Sequence, residues 1–315
     1  MKNKRMKGGK TIMAIIGAVL VVALLRGCVA TPYLIPSSGM ENSLYEGERI
    51  LVNRWSYGLR LPFMRFWGYH RWAERPVQRE DIVVFNNPAN RSERTIDRRE
   101  AFIGRCIGTP GDTLLVDSLF SVIPVKASAP DRKFLYAYPR QQERLVDSLL
   151  TALSIRPNAL LGQDSVKNIR SFSRYEHYLL EQTLNGTCRI EPVNREDSAG
   201  TLRPLVVPGK GKVVRVHPWN TALLCNTLVL HEHRRAEVKN DTLYVEGKPV
   251  QQCRFSKNYY WVSANNSINL SDSRLFGFVP QDHVIGKATF IWFSKEKGTG
   301  VFDGYRWGRM WKKIN

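Results

Sequence analysis

The chain has 315 residues, which leaves room for one large domain or two medium-sized ones with a substantial hydrophobic core. Its formal net charge of +19 suits contact with anionic lipid headgroups or with nucleic acid. The basic residues are scattered, however, and the sequence carries no zinc finger, basic zipper or other nucleic-acid-binding signature. We therefore predict a surface that faces membrane lipids and no nucleic-acid partner.

Cysteine usage argues against a zinc site or a thioredoxin-type redox site, because no two cysteines have the CxxC spacing. An odd number of dispersed cysteines allows at most two disulfides and does not choose between the pairings. The five are Cys28, Cys106, Cys188, Cys225 and Cys253. We predict no cofactor and no metal site.

The N-terminus combines a basic tail with an apolar run. Residues 1–10 carry five basic residues and no acid, and fifteen uncharged residues follow at Thr11–Leu25. A membrane span normally needs ~20 residues, and snorkelling of the flanking basic side chains extends this run to both interfaces. The positive-inside rule places the tail in the cytoplasm. We predict an anchor at 11–30, with a cleaved signal peptide and a lipoprotein signal ending at Cys28 as alternatives.

A short polar segment, Tyr33–Leu44, separates the apolar run from a strand-like stretch at Arg49–Asn53. It reads Tyr-Leu-Ile-Pro-Ser-Ser-Gly-Met-Glu-Asn-Ser-Leu.

The next segment, Trp55–Trp72, interleaves seven aromatic residues with arginines. This pattern is typical of a bilayer interface, where amphipathic rings lie at headgroup depth. A loop folded onto its own core is the alternative, and the residues alone do not choose between the two.

A second motif follows the buried-strand pattern Asp81–Phe85. Phe102–Thr113 reads Phe-Ile-Gly-Arg-Cys-Ile-Gly-Thr-Pro-Gly-Asp-Thr. Pro110 and Gly111 supply a fixed φ and then a positive φ, so we predict a type II turn between two strands.

The composition then changes over residues 117–204. Apolar residues recur at helical spacing within Pro139–Ile155 and Ser171–Leu184. We predict a partly helical insertion or cap in which no chemistry is visible. Strand signals resume at Leu205–Val214 and again at Leu228–His231.

Two histidines in this last part are a possible metal pair. His231 and His233 would share one face of a strand, but no third ligand is near in sequence. We favour solvated histidines without a metal.

The third motif lies in Tyr259–Lys287. It reads Ser-Asp-Ser-Arg-Leu-Phe-Gly-Phe-Val-Pro from Ser271 and Val-Ile-Gly-Lys from Val284.

These three motifs, in this order, resemble bacterial type I signal peptidases, the membrane-anchored serine endopeptidases that trim secreted precursors. That family reads Ile-Pro-Ser-x-Ser-Met, then Tyr-Ile-Lys-Arg-Val-Ile-Gly-Leu-Pro-Gly-Asp, then Asp-Ser-Arg-x-x-Gly-x-Val-Pro. The resemblance implies a β-domain that docks on the outer leaflet through loops in the region of Trp55–Trp72.

The family's reactive groups are missing at the matching positions. Gly39 stands where the family has its nucleophilic serine, and Gly104 stands where it has its lysine base. Leu270 stands where a serine orients that lysine. A serine–lysine protease needs a hydroxyl, a neutral amine and donors for the oxyanion. Ser38 is the fallback nucleophile, but in an extended segment it would point away from the cleft.

The resemblance also implies a peptide cleft that survives these losses. The oxyanion donors would be the Ser37 hydroxyl and the backbone N–H of Gly39. The adjoining strands would offer edge hydrogen bonds to an extended peptide. The cleft residues implied in this way are Ile35, Pro36, Ser37, Gly39, Met40 and Ile103. Arg105, Asp272 and Arg274 would support the site as an ion-pair scaffold.

Together these observations predict a mainly β fold: a signal-peptidase-like antiparallel β-domain with a partly helical insertion and one N-terminal transmembrane helix. The predicted divisions are 1–10, 11–30, 31–116, 117–204 and 205–315. The chain would be a single-pass protein of the cytoplasmic membrane with its main domain on the periplasmic side.

The predicted function is binding of signal peptides of secretory precursors, with membrane lipids and an active signal peptidase as further partners. Catalysis would be impaired. One alternative is an active signal peptidase with a relocated nucleophile such as Ser38. The other is a scaffold protein that acts through 117–204.

Overall fold

A computed structural model of the chain describes residues 12–18, 29–61, 64–90, 92–117, 120–122, 133–155, 160–193, 202–266 and 271–314. Residues 12–18 are helical (α1). None of the helices in these ranges is both long and apolar enough to span a bilayer. Most of the predicted anchor, together with Cys28 and Leu270, lies outside the described residues.

The other helices and the strands follow in chain order. The strands are β1 (Ala30–Leu34), β2 (Glu48–Asn53), β3 (Leu59–Arg60), β4 (Arg71–Trp72), β5 (Ile82–Asn86), β6 (Ala101–Gly108), β7 (Thr113–Val116), β8 (Lys133–Pro139), β9 (Gly162–Gln163), β10 (Lys167–Ser173), β11 (Glu191–Pro192), β12 (Arg203–Val206), β13 (Val213–Arg215), β14 (Ala236–Lys239), β15 (Thr242–Val245), β16 (Lys248–Pro249), β17 (Gln252–Arg254), β18 (Tyr259–Ser263), β19 (Val279–Pro280), β20 (Val284–Ser294) and β21 (Lys312–Lys313). The helices are α2 (Met64–Trp67), α3 (Glu143–Ala152), α4 (Arg174–Leu184), α5 (Thr221–His231) and α6 (Ser273–Phe276).

The main sheet has the strand order β1-β2-β20-β5-β6-β18-β19, with β21 added to β20. Each of these strand pairs is antiparallel. The long strand β20 carries register shifts against both β2 and β5, and such bulges increase the local twist of a sheet. The prediction of a mainly β, antiparallel domain is confirmed.

Alternation of apolar side chains fixes the register of β2. Ile50 and Val52 are fully buried, whereas Arg49 before them is exposed and Leu51 between them is half-buried, as expected for a strand with one face on the core. They join a cluster that lies beneath β1 and contains Ile35, Met40 and Leu44. The polar segment of the sequence therefore folds over one end of the core.

Four strands of the predicted insertion form a second sheet with the order β11-β8-β10-β9. Helices α3 and α4 lie in the two stretches where helical spacing predicted them, and they contribute Val146, Leu150 and Leu180 to an apolar cluster with Tyr138 and Phe172. A partly helical insertion is therefore present, while the exact boundaries given above stay a prediction.

The expected strand at Leu228–His231 was wrong, because these residues end α5. Leucine and alanine favour a helix, and the turn from His217 to Asn220 starts it, since the Asn220 side chain accepts a hydrogen bond from the His217 amide. His231 is buried against the ring of His283, with the ring centroids 5.3 Å apart, and His233 lies beyond the helix with a positive φ. The two histidines share no strand face, and His231 is not solvated.

The cysteines that the structure describes are all free thiols: Cys106, Cys188, Cys225 and Cys253. The predicted upper limit of two disulfides is therefore not reached by these four.

Candidate functional site

A groove of about 200 Å³ opens between β1, the turn that follows it and the start of β6. The structure brings all six predicted cleft residues to its walls: Ile35, Pro36, Ser37, Gly39, Met40 and Ile103. The apolar part of the lining includes Leu34, whose side chain is 59% exposed, so the groove offers apolar surface to a ligand.

Two strand edges face this groove. β1 is the first strand of the main sheet and pairs with β2 on one side. In β6, residues 101–104 pair with β5, whereas β18 pairs with β6 at Arg105, Cys106 and Gly108. Among the described strands, the other edges of β1 and of 101–104 have no partner. An open strand edge can take up an extended peptide as an added strand.

The turn after β1 corrects one expectation. Ser38–Met40 forms a 3-10 turn rather than an extended segment, so side chains do not alternate there. Gly39 is buried, and its carbonyl oxygen accepts a hydrogen bond of 3.0 Å from the Asn266 amide. Ser38 is exposed and is not among the described residues that line the groove, whereas Ser37 lines it.

Gly104 lies in β6 opposite Val83 of β5 and is buried. A Cβ atom built on Gly104 would lie 2.4 Å from Cγ1 of Val262 and 3.3 Å from the carbonyl oxygen of Ser263. Carbon atoms pack at 3.5 to 4.0 Å. Any side chain at this position therefore requires Val262 of β18 to move.

The groove has hydroxyl groups but, among its described lining residues, no amine and no imidazole. The hydroxyls belong to Tyr33, Ser37 and Ser271. Burial raises the pKa of Tyr33, and the positive charges of Arg54 and Arg60 lower it in part. The Tyr33 hydroxyl is therefore neutral near pH 7 and can act as a hydrogen-bond donor.

Arg105 is buried behind the groove. It donates hydrogen bonds to the side chain of Asn265 at 3.3 Å, to the hydroxyl of Ser43 at 2.8 Å and to the carbonyl oxygen of Glu80 at 3.2 Å. It thereby ties β6 to the chain segment that follows the Ser38–Met40 turn.

Asp272 and Arg274 form the other part of the predicted support. The Asp272 carboxylate caps α6 and binds the Arg274 guanidinium at 2.7 Å. It also accepts a hydrogen bond of 2.9 Å from the Ala264 amide. The hydrogen bonds of Arg105 and of Asp272 reach two adjoining residues just after β18. Arg105 bonds to Asn265, and Asp272 bonds to Ala264.

Sequence reasoning missed Lys133 in β8. Its side chain is fully buried, and its Nζ lies 3.1 Å from Oε2 of Glu41, the residue that follows Met40. No local pattern could have revealed this contact, because the two residues are far apart in the sequence and one belongs to the insertion.

Two further observations limit the chemistry near the groove. Burial raises the pKa of the Cys106 thiol, which keeps it protonated and inert in the core. Within the described part of the chain, no three or more His, Cys, Asp or Glu side chains are grouped so that they could hold a metal ion.

The family model described as "Signal peptidase, peptidase S26" matches residues 9–160 and 214–293. The chain is similar to "Signal peptidase I" of Buchnera aphidicola subsp. Schizaphis graminum, with 25% identity over 299 residues that cover 91% of this chain and 76% of the relative.

It is also similar to two other proteins named "Signal peptidase I". The Haemophilus influenzae protein is 26% identical over 298 residues, covering 93% of this chain and 72% of the relative. The Pseudomonas fluorescens protein is 34% identical over 302 residues, covering 91% of this chain and 72% of the relative. The family model spans well over half of the residues, and the chain belongs to the signal peptidase family, peptidase S26.

Proposed function

We propose that this protein binds signal peptides of secretory precursors in the groove between β1 and β6 without cutting them. The observation that carries the proposal is a groove with two open strand edges, which Gly39 lines and beside which Gly104 lies in β6. The resemblance implies that these two glycines stand at the positions of the catalytic serine and lysine. Main-chain hydrogen bonds from the open edges supply affinity, and the apolar walls select small or apolar side chains.

The proposed lack of peptide-bond cleavage follows from the size of the catalytic losses known for serine proteases. In serine proteases, removing the nucleophile or the base lowers turnover by ~10⁶, which leaves only ~10³ over the reaction in water. Glycine at both positions removes an attacking oxygen and a proton acceptor together. The packing of Val262 against Gly104 supports the same proposal, since it occupies the place of the first carbon of any side chain at residue 104.

The proposed location is the cytoplasmic membrane, with a single N-terminal anchor at 11–30 and the β-domain on the periplasmic side. Two observations support it: the basic tail followed by an apolar run, and exposed aromatic residues in the β3–β4 region, where Phe66 is 75% and Trp67 68% exposed. Lipids and an active signal peptidase are the further partners proposed.

A fluorescent signal peptide tests binding directly. We expect its anisotropy to rise on titration with the detergent-solubilised protein, and we expect an unlabelled precursor to remain intact by mass spectrometry. Leu34→Asp is the groove variant that accompanies this test, because this exposed residue lines the groove and its replacement leaves the core intact. It should weaken binding.

Cleavage of the precursor by purified protein would overturn the proposal. If Ser38→Ala then abolished that cleavage, and a serine-reactive fluorophosphonate labelled the wild type, the protein would be an active peptidase with a relocated nucleophile.

A further inference from the structure

Lys133 joins the insertion to the floor of the groove. It is the first residue of β8, its side chain has no exposure to solvent, and its ammonium lies 3.1 Å from the Glu41 carboxylate. Glu41 is itself buried, and it directly follows Met40, which lines the groove.

The backbone of Lys133 makes a second contact at the same place. Its amide donates a hydrogen bond of 3.1 Å to the carbonyl oxygen of Asn265. The side-chain amide of Asn265 in turn donates to the Glu41 carbonyl at 3.3 Å and to the Ser43 hydroxyl at 2.6 Å. Three segments that are distant in sequence therefore meet here: the start of the insertion, the end of β18 and the turn after β1.

A buried ion pair holds its two elements together more strictly than a surface pair does. Removing one partner leaves an unpaired charge in a largely buried site, and that charge must either be neutralised or move toward solvent. If Glu41 moved outward, it would carry the backbone of Gly39 and Met40 with it. The shape of the groove therefore depends on a side chain that the insertion supplies.

We propose that Lys133 is a positioning residue. Through it, the insertion holds the Ser38–Met40 turn and the adjoining Glu41 in the conformation that forms the peptide groove. The effect on peptide affinity rests on the proposed function, whereas the effect on the turn does not. The insertion is then a structural part of the groove.

Amide hydrogen exchange in the absence of peptide tests the effect on the turn. In Lys133→Met, we expect the amides of Glu41 and Leu44, which donate to backbone carbonyls inside this turn, to exchange about tenfold faster than in the wild type. The control is Arg170→Met, which removes a cation paired with Asp147 inside the insertion. It should leave exchange in the turn unchanged.

Equal exchange of the turn in Lys133→Met and wild type would overturn the proposal, and so would equal acceleration in both variants. If Lys133→Met does not fold, the double variant Lys133→Met with Glu41→Gln keeps the test decisive. The double variant leaves neither charge of the Lys133–Glu41 pair, so we expect it to fold. We expect Lys133→Arg, which keeps the positive charge, to retain wild-type exchange. If the double variant does not fold and Lys133→Arg does not retain wild-type exchange, Lys133 serves general stability only and the proposal is wrong.

Peptide binding is the second measurement. We expect the Kd of the fluorescent signal peptide to rise about tenfold in Lys133→Met and to stay unchanged in Arg170→Met. If the wild type binds no peptide, the proposed function fails, and the exchange experiment still decides the role of Lys133. Unchanged affinity in Lys133→Met, measured where the wild type binds, would contradict the link between the insertion and the groove.

Discussion

Gly104 carries no side chain, yet the volume beside it belongs to Val262. The resemblance of the second motif to signal peptidases implies that this is the position of the family's lysine base. The contact of 2.4 Å between a Cβ at residue 104 and Cγ1 of Val262 means that even alanine forces the valine to shift. A side chain at residue 104 is therefore opposed by the packing of Val262.

Replacing Gly104 with alanine should destabilise the protein. Overpacking of a well-filled core costs about 1–3 kcal/mol, which exceeds the gain from a less flexible unfolded chain. Urea denaturation of Gly104→Ala and of Gly104→Ala with Val262→Ala measures this. We expect the double variant to be more stable than the sum of the two single changes implies, and simple additivity would contradict the packing argument.

His231 gives the protein an acid-sensitive core. Burial, the first cause, together with the neighbouring His283, Lys257 and Arg99, lowers its pKa from 6.5 to about 3, although Asp282 raises it in part. The folded protein thus binds fewer protons than the unfolded chain between these values. Stability should fall as the pH drops from about 6.5 toward 3, by up to about 1.4 kcal/mol per pH unit for this one group.

Thermal unfolding between pH 7 and pH 4 measures this slope. The pKa of Asp282 is held below its usual range despite burial, because His283 and Lys257 pair with it, and its own loss of stability adds only below about pH 4. His231→Gln should flatten the profile between pH 6.5 and 4.5, while an unchanged slope would assign it to other groups.

At the scale of elements, the short β3–β4 hairpin and α2 expose a cluster of rings. Phe66, Trp67 and Trp72 are each more than two-thirds exposed, and Trp55 packs edge-on against Trp72. The sequence left two interpretations open, a membrane surface or a loop folded on its own core. The exposure of these rings favours the membrane surface.

In protein that lacks residues 1–28, changing Phe66 and Trp67 together to serine should therefore lower the affinity for anionic vesicles about a hundredfold or more, because each buried ring contributes on the order of 1.5–3 kcal/mol. Tyr175→Ser is the matched control, since this residue is 64% exposed on α4 of the insertion. Equal loss in both variants, or none in the first, would count against a membrane role for the hairpin.

Local signals account for what the sequence predicted well. Alternating or continuous apolar residues located β2 and β5, and the Pro110-Gly111 pair located the turn between β6 and β7, where Gly111 has φ of +94°. The six cleft residues also came together as expected. Their roles in binding stay predictions.

The misses share a different cause. The α5 stretch contains leucines, which favour a helix, but its apolar run also fits a strand. Helix propensity and hydrophobic periodicity therefore gave different predictions. The Ser38–Met40 turn and the Glu41–Lys133 pair depend on contacts with β18 and the insertion, which no local window contains. The prediction that Arg105, Asp272 and Arg274 form one scaffold missed the role of Asn265, an uncharged residue, in linking them.

At the scale of the whole molecule, the insertion enters and leaves through one strand pair. β7 and β12 are antiparallel, and Val116 lies opposite Arg203, so the two ends of the insertion are adjacent. A two-residue turn could close the chain there, because such turns join antiparallel strands directly. Connectivity therefore permits the insertion to be removed.

We expect such a deletion variant to lose most peptide affinity, because it leaves the buried carboxylate of Glu41 without its ammonium partner. Adding Glu41→Gln to the deletion should recover a large part of the affinity, as measured by anisotropy. If the deletion alone binds peptide like the wild type but no longer captures a partner protein, the insertion acts as an independent scaffold.

The two open strand edges beside the groove have a cost as well as a use. Among the described strands, none pairs with the outer edge of β1 or with the outer edge of 101–104, and such an edge can join an extended chain, including the same edge of another molecule. We therefore expect concentrated protein in mild detergent to form dimers, and we expect an added signal peptide to dissociate them. Sedimentation velocity measures both. The groove is in this sense a surface for self-association, and the proposed peptide ligand would also keep neighbouring copies apart.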